Sequence, residues 1–215
     1  MSPRSTFEHE LQELQEKIEE MSHMVEGSYR NLFEALAVKD EAAIAIIQKS
    51  DLTIYDMKRQ IETQCLKLIT KQQPVAGDLR IVSSVLKTVT DIERVGDHVS
   101  DIAELLLRIN MNKLSHYSIH LEGMVEATKE LFMNAVDAFV NNNEEASHKV
   151  ITGDDVIDSL FNKVKNDIIE GLKSEMKNAD EYIDVMMITK YLEKIGDHAV
   201  NVAKWQIFRV TGVIS

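Results

Sequence analysis

Residues that turn or stiffen a backbone are scarce, with 8 glycines and 2 prolines in 215 positions. That excludes a sandwich, barrel or propeller built from many short strands. A single cysteine, Cys65, excludes an intramolecular disulfide and any paired-cysteine metal site. No run approaches the roughly 18 consecutive apolar residues of a membrane span. The start, Met1-Ser2-Pro3-Arg4, lacks the apolar stretch of a secretory signal. The cytoplasm is therefore the expected compartment, with no insertion into a membrane. Positive charge is short as well. The chain has 24 Lys and Arg against 36 Asp and Glu, a net charge of −12. Such a surface matches nucleic-acid phosphates and anionic lipid poorly, and suits cations or a basic protein surface. The phosphate-binding GxxxxGK[ST] and GxGxxG loops and the GxSxG nucleophile turn are missing. No nucleophile has a base beside it, so a non-enzyme is expected.

What is present is helical periodicity in an ordinary globular composition, 44% hydrophobic and 28% charged. Phe7, Leu11, Leu14, Ile18, Met21, Val25, Ser28, Leu32 and Ala35 alternate spacings of four and three. That predicts one long amphipathic helix over 7–35. Four heptads favour a helix packed in a bundle over an independent coiled coil. Further helices are predicted over about 40–70, 74–110, 116–141, 144–177 and 180–211. Pro74 separates the second from the third. Asn110 to Ser115 is the best linker. No alternating segment is long enough to prefer a strand. Long helices with short connections imply antiparallel neighbours. The fold class is all-α, two tandem three-helix bundles over 1–112 and 113–215.

The halves repeat each other. Glu93-Arg94-Val95-Gly96-Asp97-His98 recurs as Glu193-Lys194-Ile195-Gly196-Asp197-His198, 100 positions on. Upstream, Ser50-Asp51 matches Gly153-Asp154 at an offset of 103, which predicts a longer connection in the first half, at Gln-Gln-Pro.

At 100° per residue, Glu193 falls in the middle of its helix's apolar stripe, with Asp197 about 40° and Asn201 about 80° away. Glu93, Asp97 and Asp101 do the same in the first copy. Like charges four apart oppose each other, and carboxylates on a half-buried stripe need a compensating cation. It is either a Lys or Arg of a neighbouring helix or a bound metal. Gly96 and Gly196 leave room for something bulky or for a second backbone. Asp154 and Asp158 share a face, and Asp51 matches Asp154, while Tyr55 stands where Asp158 would be. An oxygen-rich set favours hard cations such as Mg²⁺, Mn²⁺ or iron.

Other polar groups carry less. Glu20-xx-His23 and Glu145-xx-His148 have the spacing of carboxylate-bridged di-iron enzymes, but no facing Glu pair accompanies them. His116 and His120 sit at the linker edge and read as surface. His98 and His198 point about 100° from the neighbouring Asp, as packing residues or as support for the acids. Trp205, Phe132, Phe139 and the methionines read as core, and Cys65 as buried and inert.

Glu93-xxx-Asp97 and Glu193-xxx-Asp197, with Gln72-Gln73-Pro74-Val75-Ala76-Gly77-Asp78-Leu79-Arg80 as the link into the third helix, resemble the PhoU-type regulators of phosphate uptake over essentially the whole chain. The resemblance implies two bundles of one fold. It also implies metal at the acidic motifs, often multinuclear iron and sometimes zinc. The implied role is negative regulation of a phosphate-specific ABC transporter, through its ATPase, and of a phosphate-sensing histidine kinase. Carried over, the metal candidates are Asp51, Glu93, Asp97 and Asp101, and Asp154, Asp158, Glu193, Asp197 and Asn201. Tyr55 would weaken the first set and Asn201 the charge of the second. A homodimer is compatible with this role. The rival readings are a di-iron-type oxidase in a helical bundle and a purely structural helical adaptor without metal.

Overall fold

The computed structural model describes the backbone of residues 3–49, 51–72, 74 and 76–213. Six long helices carry the architecture, and no strand occurs among the described residues. The first bundle is α1 (Pro3–Val38), α3 (Asp51–Gln72) and α4 (Ala76–Leu106), with the short α2 (Glu41–Ile47) across one end. The second is α6 (Leu121–Val140), α7 (Glu144–Ser174) and α8 (Ala179–Thr211). The predicted linker is itself folded, as a 3₁₀ turn over Met111–Lys113 and one helical turn, α5 (Leu114–Tyr117).

The heptad stripe of α1 is the buried stripe. Leu14, Ile18, Met21, Val25 and Leu32 are each 0–1% exposed. The predicted Ser28 is only half-buried, and Tyr29 takes the interior beside it. Its hydroxyl donates to the Val125 carbonyl of α6 at 2.7 Å, which ties the two bundles together at that point.

The predicted helix over 40–70 is two helices. Asp40 caps α2, its Oδ1 accepting from the Ala43 N–H at 3.0 Å. The helix stops after Ile47, and Ser100 Oγ of α4 donates to the Gln48 carbonyl at 2.7 Å. That carbonyl is one an uninterrupted helix would give to the N–H four residues on. The second bundle has no such break, and α7 runs unbroken for 31 residues.

The three extra residues of the first half are not in the connection either. α4 starts 17 residues before Glu93, and α8 starts 14 before Glu193, so the first turn of α4 absorbs them.

The bundles share one continuous hydrophobic core that runs from Phe7 to Ala203. α4 and α8 make the most extensive helix–helix contact in the molecule. The polar ties follow the same seam. Arg108 meets Asp184 at 3.0 Å, and Tyr117 donates to Glu181. Gly212, the left-handed cap of α8 at φ 77°, lies against the guanidinium of Arg80. Arg80, near the start of α4, thus reaches the end of the other bundle. Any side chain at 212 would be strained and would displace Arg80.

Candidate acidic sites

The two copies of the acidic motif lie on α4 and α8, each facing the preceding helix of its own bundle. The glycines set the helix spacing. A Cβ on Gly96 would stand 3.0 Å from Ile54 Cδ1, and one on Gly196 would stand 2.9 Å from Ile157 Cδ1. Ile54 and Ile157 are equivalent at the offset of 103, so the repeat is physical as well as sequential. The space beside each glycine is filled by an isoleucine, and its purpose is close helix approach rather than room for an ion.

In the first bundle Glu93 is 8% exposed. Lys58 of α3 supplies its counter-charge, with Nζ 3.0 Å from Glu93 Oε2. Asp97 pairs with Arg94 one turn back at 3.0 Å. Burial and then the charge of Glu93 raise the Asp97 carboxyl above its ordinary value, with Arg94 pulling the other way. Asp101 turns to His98 Nδ1 at 3.4 Å. Tyr55 is exposed, beneath the Arg59 guanidinium. The side chain of Asp51 lies outside the described residues.

The second bundle is more acidic where the helices meet. A Cβ on Gly196 would come within 3.2 Å of Asp154 Oδ1, which places that carboxylate against α8. Burial, then Asp158, Asp197, Glu193 and Asp155, push Asp154 up to about 6. Four sequence-predicted acids therefore act on one another here, and Asp154 carries the cost. The cations present are on the wetter side of α8. Lys190 reaches Glu193 at 2.7 Å, and Lys194 reaches Asp197 at 2.6 Å and Glu193 at 3.6 Å. Asn201 does not join this group. Its Nδ2 donates to Asp91 Oδ1 of α4 at 3.3 Å.

Among the described residues, no three His, Cys, Asp or Glu side chains are grouped as a metal site in the present rotamers. The donor chemistry of the two copies nevertheless differs. Asp154, Asp158, Glu193 and Asp197 bring four carboxylates together, and burial first, then repulsion, suppresses the ionisation of Asp154. The first copy fits a hard cation poorly, because Lys58 neutralises Glu93 from within.

The sequence left one polar cluster undefined, the junction of α4 and α8. His198 Nδ1 lies 2.8 Å from Asp91 Oδ1, and His98 stacks on Tyr191 with ring centroids 5.3 Å apart. Asp91 and Tyr191 are themselves 100 apart, so each repeat offers its histidine to the same position of the other. The two rings lie 5.6 Å apart. Burial, with His198 adding to it, lowers the His98 pKa. The recurrence of the histidines was visible, but their partner required the docking of the bundles.

The remaining assignments divide. Cys65 is fully buried, and burial pushes its thiol up to about 12. His23 and His148 are exposed and, among the described residues, pair with acids on their own helices, Glu26 and Glu144. His116 is exposed near Glu175, but His120 is half-buried, 2.8 Å from Asp167, which also accepts from Ser118 at 2.7 Å. Burial would raise Asp167, and these two hydrogen bonds outweigh it and hold the carboxyl low. Two methionines read as core, Met176 and Met187, are exposed, and Trp205 is half-buried under Lys87.

The model of the PhoU domain matches the chain twice, over residues 18–106 and 121–206, once in each bundle. The chain belongs to the PhoU family. Among curated PhoU proteins, a phosphate-specific transport system accessory protein PhoU homolog of Clostridium acetobutylicum is 35% identical over 212 residues, covering 97% of this chain and 96% of that protein. A PhoU homolog 1 of Thermotoga maritima is 28% identical over 207 residues, 96% of this chain and 89% of that one. Among solved structures, the phosphate transport system regulatory protein PhoU of Streptococcus pneumoniae superposes with a TM-score of 0.89 at 25% identity, over 97% of this chain and 99% of that one. No helix among the described residues is long and apolar enough to cross a membrane.

Proposed function

We propose that this PhoU protein is a non-enzymatic, cytoplasmic accessory of a phosphate-specific transport system. It represses phosphate import by contacting the transporter ATPase and a phosphate-sensing histidine kinase. The observation that carries the reading is the end-to-end match to the Clostridium acetobutylicum accessory protein, with one PhoU domain in each bundle. The test is phosphate uptake in a strain lacking the gene. Uptake that rises on deletion and falls on complementation supports the reading, and uptake that does not respond overturns it.

Metal belongs to this proposal at the second acidic site. Asp154, Asp158, Glu193 and Asp197 would hold a hard cation, iron, manganese or magnesium, which would supply the charge that their mutual repulsion calls for. Lys190 and Lys194 are each 42% exposed and can swing into water as it enters. At the first site a second reading is favoured by the Lys58–Glu93 pair: a metal-free salt bridge that fixes α3 against α4.

A further inference from the structure

We propose that the groove between α1 and α3 of the first bundle is the docking site for a partner helix that carries a stripe of acidic side chains. This rests on the reading of the protein as an adaptor and gives that role a surface.

The groove is open and holds about 600 Å³. One wall is α1, at Glu13 and Lys17. The other is a ridge of α3 made by Arg59, Thr63, Lys67 and Lys71, each four residues from the next. Such a ridge is slightly inclined to its helix and about 18 Å long, with about 6 Å between steps. A second helix packed against it presents a ridge of the same spacing. Acids at every fourth position of that helix would meet the three cations in register.

The cations are free to do so. Arg59, Lys67 and Lys71 are exposed. None makes an ion pair among the described residues; Arg59 only lies over the Tyr55 ring, 5.9 Å from its centroid. The groove also holds three acids, Glu10 and Glu13 on α1 and Asp56 at the Arg59 end of α3, against four cations, and Glu13 already accepts from Gln64 Nε2 at 3.2 Å. Lys17 is held along the groove by Gln64 Oε1 at 2.8 Å.

The duplication supplies an internal control. At the offset of 103, the ridge positions of α7 are Asn162, Asn166, Glu170 and Ser174. The second bundle packs the same three helices without the row, so bundle stability does not require it. A chain of net charge −12 repels an acidic partner over most of its surface. The basic ridge of α3 therefore fixes where such a partner can approach and in which register.

The test uses the full chain and a fluorescent, Ala-rich helical peptide with Glu at four successive i, i+4 positions. A control peptide has the same composition with its Glu spread over all faces. The striped peptide should bind more tightly than the control, and its binding should weaken steeply with salt. The variant R59Q/K67Q/K71Q should melt as wild type, because all three residues are exposed. It should lose about tenfold in affinity, as expected for three exposed ion pairs. The variant K163Q/K165Q/K173Q makes the same charge change in the second bundle and should keep binding. Equal loss in both variants, no loss in the first, or tripolyphosphate binding the groove more tightly than the peptide overturns the proposal. In cells, normal repression of phosphate uptake by R59Q/K67Q/K71Q would overturn the groove's role and leave the adaptor reading standing, which only the deletion strain tests.

Discussion

Lys58 and Phe161 occupy the same place in the two repeats, 103 residues apart, and they treat the acidic motif in opposite ways. Lys58 crosses from α3 to sit 3.0 Å from Glu93 Oε2, both side chains at most 16% exposed. Phe161 has no charge to offer. Lys190 of α8 instead lies over its ring, 5.6 Å from the centroid, and donates to Glu193 at 2.7 Å from a side chain 42% exposed. One repeat has internalised its counter-charge, and the other keeps it at the solvent edge.

Lys58→Met should therefore destabilise the protein by about 1–3 kcal/mol, because it strands the Glu93 carboxylate in a mostly buried position. Lys58→Met with Glu93→Gln should recover much of that loss. Denaturant melts of the two single variants and the double variant check this. Additive losses in the double variant would mean that the 3.0 Å contact contributes nothing to stability.

The second prediction concerns pH. Asp154 has its folded pKa raised to about 6, first by burial and then by Asp158, Asp197, Glu193 and Asp155. A carboxyl raised in the folded state binds its proton more tightly there than when unfolded. Its favourable contribution is thus complete below the ordinary carboxylate range and is lost as pH rises through about 6. Asp154→Asn removes that loss. The variant should match wild type near pH 4 and exceed it in melting temperature above pH 7, with the difference opening through pH 6. Manganese affinity of the wild type should fall over the same interval as pH is lowered, since a ligating carboxylate must be ionised. A stability difference that does not vary with pH would show that the fold does not raise the Asp154 carboxyl.

The sequence made the six long helices, the duplication and the acids of the second site legible, because each follows from periodicity within one helix or from a fixed offset. What it hid depends on contacts across the chain. The end of α2 depends on Ser100, 52 residues downstream, donating to the Gln48 carbonyl. The partner of Glu93 is a lysine 35 residues away that looks like any other surface charge. Asn201 shares the helical face of Glu193 loosely enough, at about 80°, to turn to Asp91 of the other bundle instead. The glycines were ambiguous for a similar reason: only the neighbouring helix decides whether an isoleucine or an ion stands there.

Gly171 tests packing directly. In most helix interiors Gly→Ala stabilises by up to about 1 kcal/mol. Here a Cβ would clash with the Tyr182 ring, and Tyr182 is only 1% exposed. Its ring packs edge-on against Tyr117 at 4.8 Å. Gly171→Ala should therefore destabilise by about 1–3 kcal/mol despite the gain in helix propensity. Gly27→Ala meets nothing within 4 Å and should be neutral or stabilising. A melt in which both variants gain stability would show that α7 shifts freely against α8.

The metal-free protein should show no appreciable affinity for inorganic phosphate. A tetrahedral anion needs several donors that converge within a few ångströms. Arg30 is taken by Glu26 and Glu34, Arg94 by Asp97 and Arg108 by Asp184, while Arg80, against Gly212, and Arg209, which donates to the Phe139 carbonyl, both lie at the end of α8. Arg59, Lys67 and Lys71 of α3 make no ion pair among the described residues, but they stand about 6 Å or more apart along the helix, a spacing suited to an extended acidic row and too wide for one phosphate. The acidic sites repel the anion outright. A cation held by Asp154, Asp158, Glu193 and Asp197 would reverse that, so affinity should appear only after metal is added. Calorimetric titration of phosphate into chelator-treated protein should give only the heat of dilution. A micromolar isotherm there would establish a direct anion site, and the protein would then sense phosphate itself rather than receive its status through partners or metal.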